Sequence, residues 1–283
     1  MKKVYSIALF GTGDKYAQYL PAFCIGALNL FPIDQGWRVR VHADDAVLDT
    51  QYGEFLLCMF GAGLVELRAK ESEPLTKAML WRMEPVFDED VDYVFCRDID
   101  APPMPRDRAV CEQFIASGAA IGTCHDNVAH AGVMGGLCHF ATEAFRNQTG
   151  IHSLDRLYAY AEQRAVKWSQ HGTDQNVLNR LVRERPNLVL LEHRYNGWLC
   201  GAVGPERREA GVYDCVAYST PTPNGPFSFH PGEQPTRPEA DSLGNHLGCA
   251  GYDHQAAFRF WEEHGDEEIA RVVRACLNKG CGA

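Results

Sequence analysis

The chain has 283 residues, 46% of them apolar and 23% charged, enough to bury a sizeable core as one large domain or two small ones. Its 27 Lys and Arg against 37 Asp and Glu give a formal charge of −10, which argues against a protein that lives on nucleic-acid phosphate. No apolar run reaches the about 18 residues of a membrane helix, and Met1-Lys2-Lys3-Val4 leads straight into a strand-like run instead of a signal peptide. Taken in chain order, Val4 to Phe10 is a short apolar run fit for a buried strand. Residues 14–31 have helical length and apolar content, with Pro21 as a kink. Trp37 to His42 alternates strictly, the pattern of a half-buried strand. A helix over 49–60, a strand over 64–67 and a helix over 75–83 follow. A strand over 91–96, a helix over 106–117 and a strand over 119–124 complete the first half. Strands alternating with helices predict an α/β fold with a mainly parallel sheet flanked by helices.

The second half is less regular. Residues 153–170 read as a helix, and Thr173 is placed to cap the next one, with Asp174 in its positive first turn. Residues 219–245 are rich in Pro and Gly and read as a long loop, a lid or binding loop by length. Ile269, Val272, Val273 and Cys276 share one face of a last helix, led by Asp266, Glu267 and Glu268 and ended by Gly280. The eleven Cys contain no Cys-x-x-Cys, so reduced cytosolic thiols packed as small hydrophobes are expected.

Chemistry concentrates at Asp98-Ile99-Asp100, directly after the apolar strand. Ligands of open α/β sheets bind at carboxyl ends of strands, and residues two apart on a strand share a side. Two hard carboxylates on one side suit Mn²⁺ or Mg²⁺, which then grips phosphate oxygens; a plain acidic surface turn is the alternative. Arg97 and Arg106 would balance the acids, bind an anionic ligand, or lie in solvent. Gly11-Thr12-Gly13 follows the first strand, but Tyr16 stands where a dinucleotide fingerprint needs its third Gly. A tight turn that brings backbone to a ligand, with the Tyr16 ring stacked on a base, is the more natural reading. Lys77 and Trp81, four apart, share a helix face. His125, His130, His139, His171 and His246 are possible metal ligands with no helical His pair among them. Zinc-hydrolase, Ser-elbow and Walker motifs are absent.

In this order the motifs resemble a nucleotide-sugar-dependent glycosyltransferase of the GT-A (Rossmann-like) fold, nearest the glycogenin-like retaining family, glycosyltransferase family eight. Gly13-Asp14-Lys15-Tyr16-Ala17 is similar to its first loop, whose Tyr stacks on uracil. Leu75-Thr76-Lys77 with Trp81 resembles the helix whose Lys faces the donor, and Phe95 to Asp100 the metal-binding strand end. Ala131-Gly132-Val133-Met134 is similar to the strand beside the sugar, Gly172 to Asn179 to the segment at the anomeric centre, and His246-Leu247-Gly248 to the late metal-ligating His. The chain departs from the family at His130, where Asn is usual, and at Gly248 and Gly251-Tyr252, where a basic end is lost. Trp81-Arg82 with Arg97-Asp98-Ile99-Asp100 also resembles a looser transferase group with an Arg-Asp-x-Asp signature.

The resemblance implies one GT-A-like domain over 1–283. Its parts would be a nucleotide-binding half to 125, an acceptor and metal-completing half over 126–250, and a helical end over 251–283. It further implies transfer of a hexose-like sugar, with retention, from a UDP-sugar to a glycan, lipid, protein or small molecule in the cytoplasm. Asp174, Gln175 and Asp126 are then the candidate catalytic residues. Gly11, Thr12, Gly13, Tyr16, Lys77, Arg97 and Gly132 would bind the donor, and Asp98, Asp100 and His246 the metal. A metal-dependent nucleotidyltransferase or phosphotransferase, and a non-catalytic nucleotide-sugar binding module, are the alternatives.

Overall fold

The computed structural model describes residues 1–11, 14–100, 103, 105–125, 132–170, 172–185, 188, 190–194, 198–203, 215–217 and 254–280. The first half runs β1 (Lys3–Leu9), α1 (Asp14–Ala17), α2 (Leu20–Leu30), β2 (Trp37–Asp44), α3 (Asp45–Leu48), α4 (Gln51–Gly61) and β3 (Glu66–Lys70). Next come α5 (Leu75–Ala78), a 3-10 helix (Met79–Phe87), β4 (Tyr93–Arg97), α6 (Pro105–Ser117) and β5 (Ile121–His125). Then follow β6 (Leu137–Ala141), α7 (Thr142–Thr149), α8 (Leu154–Glu162), α9 (Thr173–Glu184), β7 (Leu190–Arg194), β8 (Trp198–Val203) and β9 (Cys215–Ala217). Helices α10 (His254–His264) and α11 (Glu267–Gly280) come last.

Among the described residues the strands form one mixed sheet in the order β3-β2-β1-β4-β6-β5-β7-β8-β9. The β3-β2-β1-β4 stretch is parallel, as strands alternating with helices demand, and β5 runs parallel to β7. Strand β6 runs antiparallel between β4 and β5, so the carboxyl end of β4 faces the turn that leads into β6. Helices cover both faces. Phe23, Phe55, Met59, Phe114, Trp261 and Val273 pack on Tyr5, Ile7, Val39, Val41 and Phe95 on one side. Leu80, Met83, Phe145, Leu157, Val177 and Leu181 pack on Val4, Val94, Cys96 and Phe140 on the other.

Several local expectations change. The apolar stretch 14–31 divides into α1 and α2, and Pro21 lies in the first turn of α2. A Pro there loses no helical hydrogen bond, so it starts the helix and kinks nothing. Strand β2 is almost wholly buried because its polar side is covered: Arg40 donates to Glu66 at 2.7 Å and to Asp88 at 2.6 Å. The alternation marks an ion-paired buried face where exposure to solvent was expected. The helix expected over 75–83 is four α-helical residues and then 3-10 turns to Phe87, and that over 153–170 stops at Glu162. Gly172, in the left-handed region at φ +76°, caps α9. Thr173, expected in that place, instead donates its hydroxyl to the carbonyls of Lys167 and Gln170. Of the strand expected over 131–134, residues 132–134 belong to the turn before β6. The 219–245 loop lies outside the described residues.

Candidate functional site

Arg82 is the centre of the site. The 3-10 helix carries it into the interior between Trp81 and Met83, and it is 4% exposed. Its guanidinium spans two carboxylates. Nη1 donates to Asp98 Oδ1, at the carboxyl end of β4, and Nη2 donates to Asp174 Oδ2 at 2.6 Å, in the first turn of α9. Burial works against the Arg82 charge, but Asp98 and then Asp174 outweigh it and hold the guanidinium firmly protonated. The two acids differ in setting. The Asp98 side chain is 47% exposed, whereas that of Asp174 is 2% exposed. Asp174 Oδ1 is buried and has no hydrogen-bond partner among the described residues, so one acceptor position stands open beside a fixed cation.

The turn before β6 is shaped around these acids. The Asp98 N–H donates to the Gly136 carbonyl at 3.1 Å. A Cβ on Gly136 would fall 1.9 Å from Asp98 Oδ2, and one on Gly135 would fall 1.9 Å from Asp174 Oδ2. Only Gly-Gly lets the backbone pass so close. The same turn is clamped from α9. Asn179 Oδ1 accepts from the Val133 N–H at 2.8 Å, while Nδ2 donates to the carbonyls of Val133 at 3.0 Å and Gln175 at 2.8 Å. Gly132, at φ +65°, lies against Asn179; a Cβ there would sit 2.1 Å from its Oδ1. Gly132 therefore serves the clamp.

Past the β4 end, Asp100 and Tyr16 each lie close enough to Tyr19 to act on its hydroxyl. Burial first, then the charges of Asp100 and Tyr16, raises the Tyr19 hydroxyl above its ordinary pKa. Tyr16 itself is 45% exposed on α1. The Gly11 N–H donates to Asp44 Oδ2 at 2.9 Å, and Asp44 Oδ1 accepts from the Val47 N–H. Asp44 thus fixes the β1 turn and caps α3.

Two other expected contacts are used elsewhere. Lys77 Nζ lies 3.2 Å from Glu73 and 4.7 Å over the Tyr158 ring, so its charge is already compensated. Trp81 is buried against Phe10. Arg97 is not solvated: it is 3% exposed, and its Nη2 lies 3.3 Å from Asp107 at the start of α6. His139 packs between Phe95 and Phe114 in the core. Gln175 is half-buried beside Asp174. Thr12, Gly13, Asp126, His130, His171 and His246 lie outside the described residues, as do the side chains of Arg106 and His125. Among the described residues no group of three or more His, Cys, Asp or Glu is arranged to hold a metal ion. Asp98 and Asp100 supply hard carboxylate oxygens, one of them tied to Arg82.

No protein-family model matches the chain, and no curated protein matches it. Solved structures do resemble it at low identity. The glycosyltransferase GlyE of Streptococcus pneumoniae TIGR4 is similar over 99% of this chain, at 11% identity and a TM-score of 0.48. This chain spans 64% of the length of that protein. Mouse xyloside xylosyltransferase 1 is similar over 68% of this chain and 84% of its own, at 13% identity and a TM-score of 0.35. The 4-diphosphocytidyl-2C-methyl-D-erythritol synthase of Anaerococcus prevotii covers 69% of this chain and 90% of its own, at 7% identity and a TM-score of 0.42. Scores below 0.5 at such identities tie the chain to none of them. Among the described residues, no helix is long and apolar enough to cross a membrane.

Three features were not singled out as site residues from the sequence: Arg82, Asn179 and the Gly135-Gly136 pair. Arg82 had a visible signal, a charge inside the apolar run 80–83, which must find a counter-charge.

Proposed function

We propose that the chain is a glycosyltransferase that takes its sugar from a nucleotide diphosphate sugar, with a UDP-sugar the first candidate. One observation carries this reading: Arg82 ties Asp98, after β4, to Asp174, at the head of α9. The two motifs that resemble metal-binding and sugar-binding segments of such enzymes thereby become one charged cluster.

In this reading Asp98 and Asp100 hold Mn²⁺ or Mg²⁺, with His246 as a third ligand. The cation, when bound, neutralises charge on the departing diphosphate. Arg82 fixes the direction of the Asp98 carboxylate through Oδ1, leaving Oδ2 for ligation. Tyr16 stacks on the base. Buried Asp174 Oδ1 accepts a hydrogen bond from a sugar hydroxyl, or faces the positive charge that grows at the anomeric carbon. Gln175 orients the acceptor, whose attack on the face the diphosphate leaves gives retention. Asp126 stands as a further catalytic carboxylate, and Thr12 and Gly13 as backbone contacts to the donor. Lys77 would reach the donor only after leaving Glu73.

A panel of nucleotide sugars with Mn²⁺, followed by product analysis, tests this. Release of nucleoside diphosphate from one sugar donor, lost in Asp98→Asn, is the expected result. Turnover of a nucleoside triphosphate instead would make the chain a nucleotidyltransferase or phosphotransferase. Donor binding without turnover would make it a binding module.

A further inference from the structure

Helix α10 meets the loop after β4 at a notch in α2. The notch is Gly26, a buried glycine in the middle of that helix. Glycine weakens a helix interior, so its place there asks for a reason. A Cβ on Gly26 would fall 2.7 Å from Trp261 Nε1 and 3.0 Å from the Pro103 carbonyl oxygen. The indole of α10 and the backbone just past Asp98-Ile99-Asp100 thus share the space that a side chain would fill.

Contacts on both sides of the notch hold α10 along α2. Its first residue, His254, lies edge-on to Tyr19, with ring centroids 5.2 Å apart. Past its end, the Asp266 N–H donates to Asn29 Oδ1 at 2.6 Å, while Asn29 Nδ2 donates to the Ile25 carbonyl at 2.7 Å. Trp261 is buried, and its N–H has no hydrogen-bond partner among the described residues, so the ring acts by bulk. Pro103 is buried, and Ile99, between the two acids, lies in the same apolar cluster as Trp261 and Ala257. The loop therefore has two anchors. Arg82 holds Asp98, and the apolar cluster with Trp261 holds Ile99 and Pro103.

We propose that Trp261 is a positioning residue of the donor site, wedged in the Gly26 notch so that the loop carrying Asp98 and Asp100 stays seated on α2. The proposal rests on the reading that these two acids hold Mn²⁺ or Mg²⁺. Trp261 acts only through the loop: without the wedge Pro103 loses its backing, and the two carboxylates lose their fixed separation. Groups that orient metal ligands from behind typically change metal affinity by about 10–100-fold when removed.

Two variants of the full chain act on this contact from opposite sides. Trp261→Leu removes the indole edge, and Gly26→Ala drives a methyl against indole and carbonyl. If one of them fails to fold, the other decides. Val273→Ala, buried in the same cluster but on α11, is the control for loosened C-terminal helices. Hydrogen exchange of the peptide carrying Asp98 to Asp100 reads the seating of the loop without any ligand. Calorimetry of UDP, with and without Mn²⁺, reads the site. The expected result is faster exchange and about tenfold weaker Mn²⁺-dependent UDP binding in both variants, with metal-free UDP binding unchanged. Val273→Ala should show neither change. Either readout unmoved in a folded variant, or an equal effect in Val273→Ala, would overturn the role of Trp261 alone. A parent protein whose UDP binding does not depend on Mn²⁺ would overturn the donor reading, and the proposal with it.

Discussion

Replacing Arg82 by Met keeps most of its volume and removes its charge, which isolates the contribution of the guanidinium. Two bonds are lost, and they are not equal. Asp98 is 47% exposed, so its share is screened by water and is worth at most about 1 kcal/mol. Asp174 is 2% exposed, and its only charged partner among the described residues is Arg82. Stripping the partner from a buried carboxylate costs roughly 3–5 kcal/mol. That is a large part of the 5–15 kcal/mol that holds an ordinary domain together. Urea unfolding should therefore place Arg82→Met about 3–5 kcal/mol below the parent. The double variant Arg82→Met with Asp174→Leu removes both buried charges and should recover most of the loss. Asp98→Asn alone should cost about 1 kcal/mol or less. If Arg82→Met unfolds within 1 kcal/mol of the parent, or the double variant shows no recovery, Arg82 is not the keystone of the cluster.

Four more outcomes are expected. Gly136→Ala puts a methyl 1.9 Å from Asp98 Oδ2 and should cost roughly 1–3 kcal/mol by denaturant titration, lowering donor affinity as well. Asp100→Asn should remove Mn²⁺-dependent UDP binding in calorimetry; equal affinity in both proteins sinks the metal assignment. Tyr16→Ala should weaken UDP binding by roughly 1–3 kcal/mol, with Tyr16→Phe close to the parent. The fourth concerns acid. Buried His42 is held down to about 4, mainly by burial, with Nδ1 3.1 Å from Glu84 Oε2 but outside hydrogen-bond geometry. Glu84 is lowered to about 2: burial opposes this, and the contacts to His42 and Lys70 outweigh it. In both cases the unfolded chain binds the proton more readily. Stability should fall as pH drops from about 6.5 to 4 through His42, and from about 4.5 to 2 through Glu84. His42→Leu should flatten the upper part of that curve in pH-dependent urea midpoints; an unchanged slope would place its origin elsewhere.

The parallel half of the sheet was legible because its strands are apolar on at least one side and its helices fall between them. The reading failed where a polar pattern had two meanings. Arg40 and His42 look like the wet side of a strand, yet Arg40 is buried in ion pairs and His42 is buried beside Glu84. Strand β6 was missed because Leu137 to Ala141 is short and follows a glycine pair that reads as loop. Helix α10 falls inside the helical end expected over 251–283, and Ala257 and Trp261 reach the core from it. At the site, Asp98 and Asp174 were found as acids at element ends, the places where α/β folds keep ligands. Their joint partner was not. A single Arg among apolar neighbours names no address, and only the folded chain shows that α9 supplies the second carboxylate. Arg97 was over-read for the opposite reason: next to Asp98 in sequence, it points to the other face of β4 and pairs with Asp107.

The double pairing of Arg82 bears on how the molecule is made. Arg82 and Asp98 belong to neighbouring elements and can meet as soon as β4 joins the nascent sheet. Asp174 and Asn179 arrive only with α9, late in synthesis, and bring the 132–136 turn under control when they dock. Until then the guanidinium has one screened partner, and the glycine turn has no clamp. Contacts of such long sequence separation are slow to form. The emerging chain therefore carries a half-neutralised cation and an unfastened loop through much of its translation. The Asp98–Arg82–Asp174 cluster comes into being in a single late event.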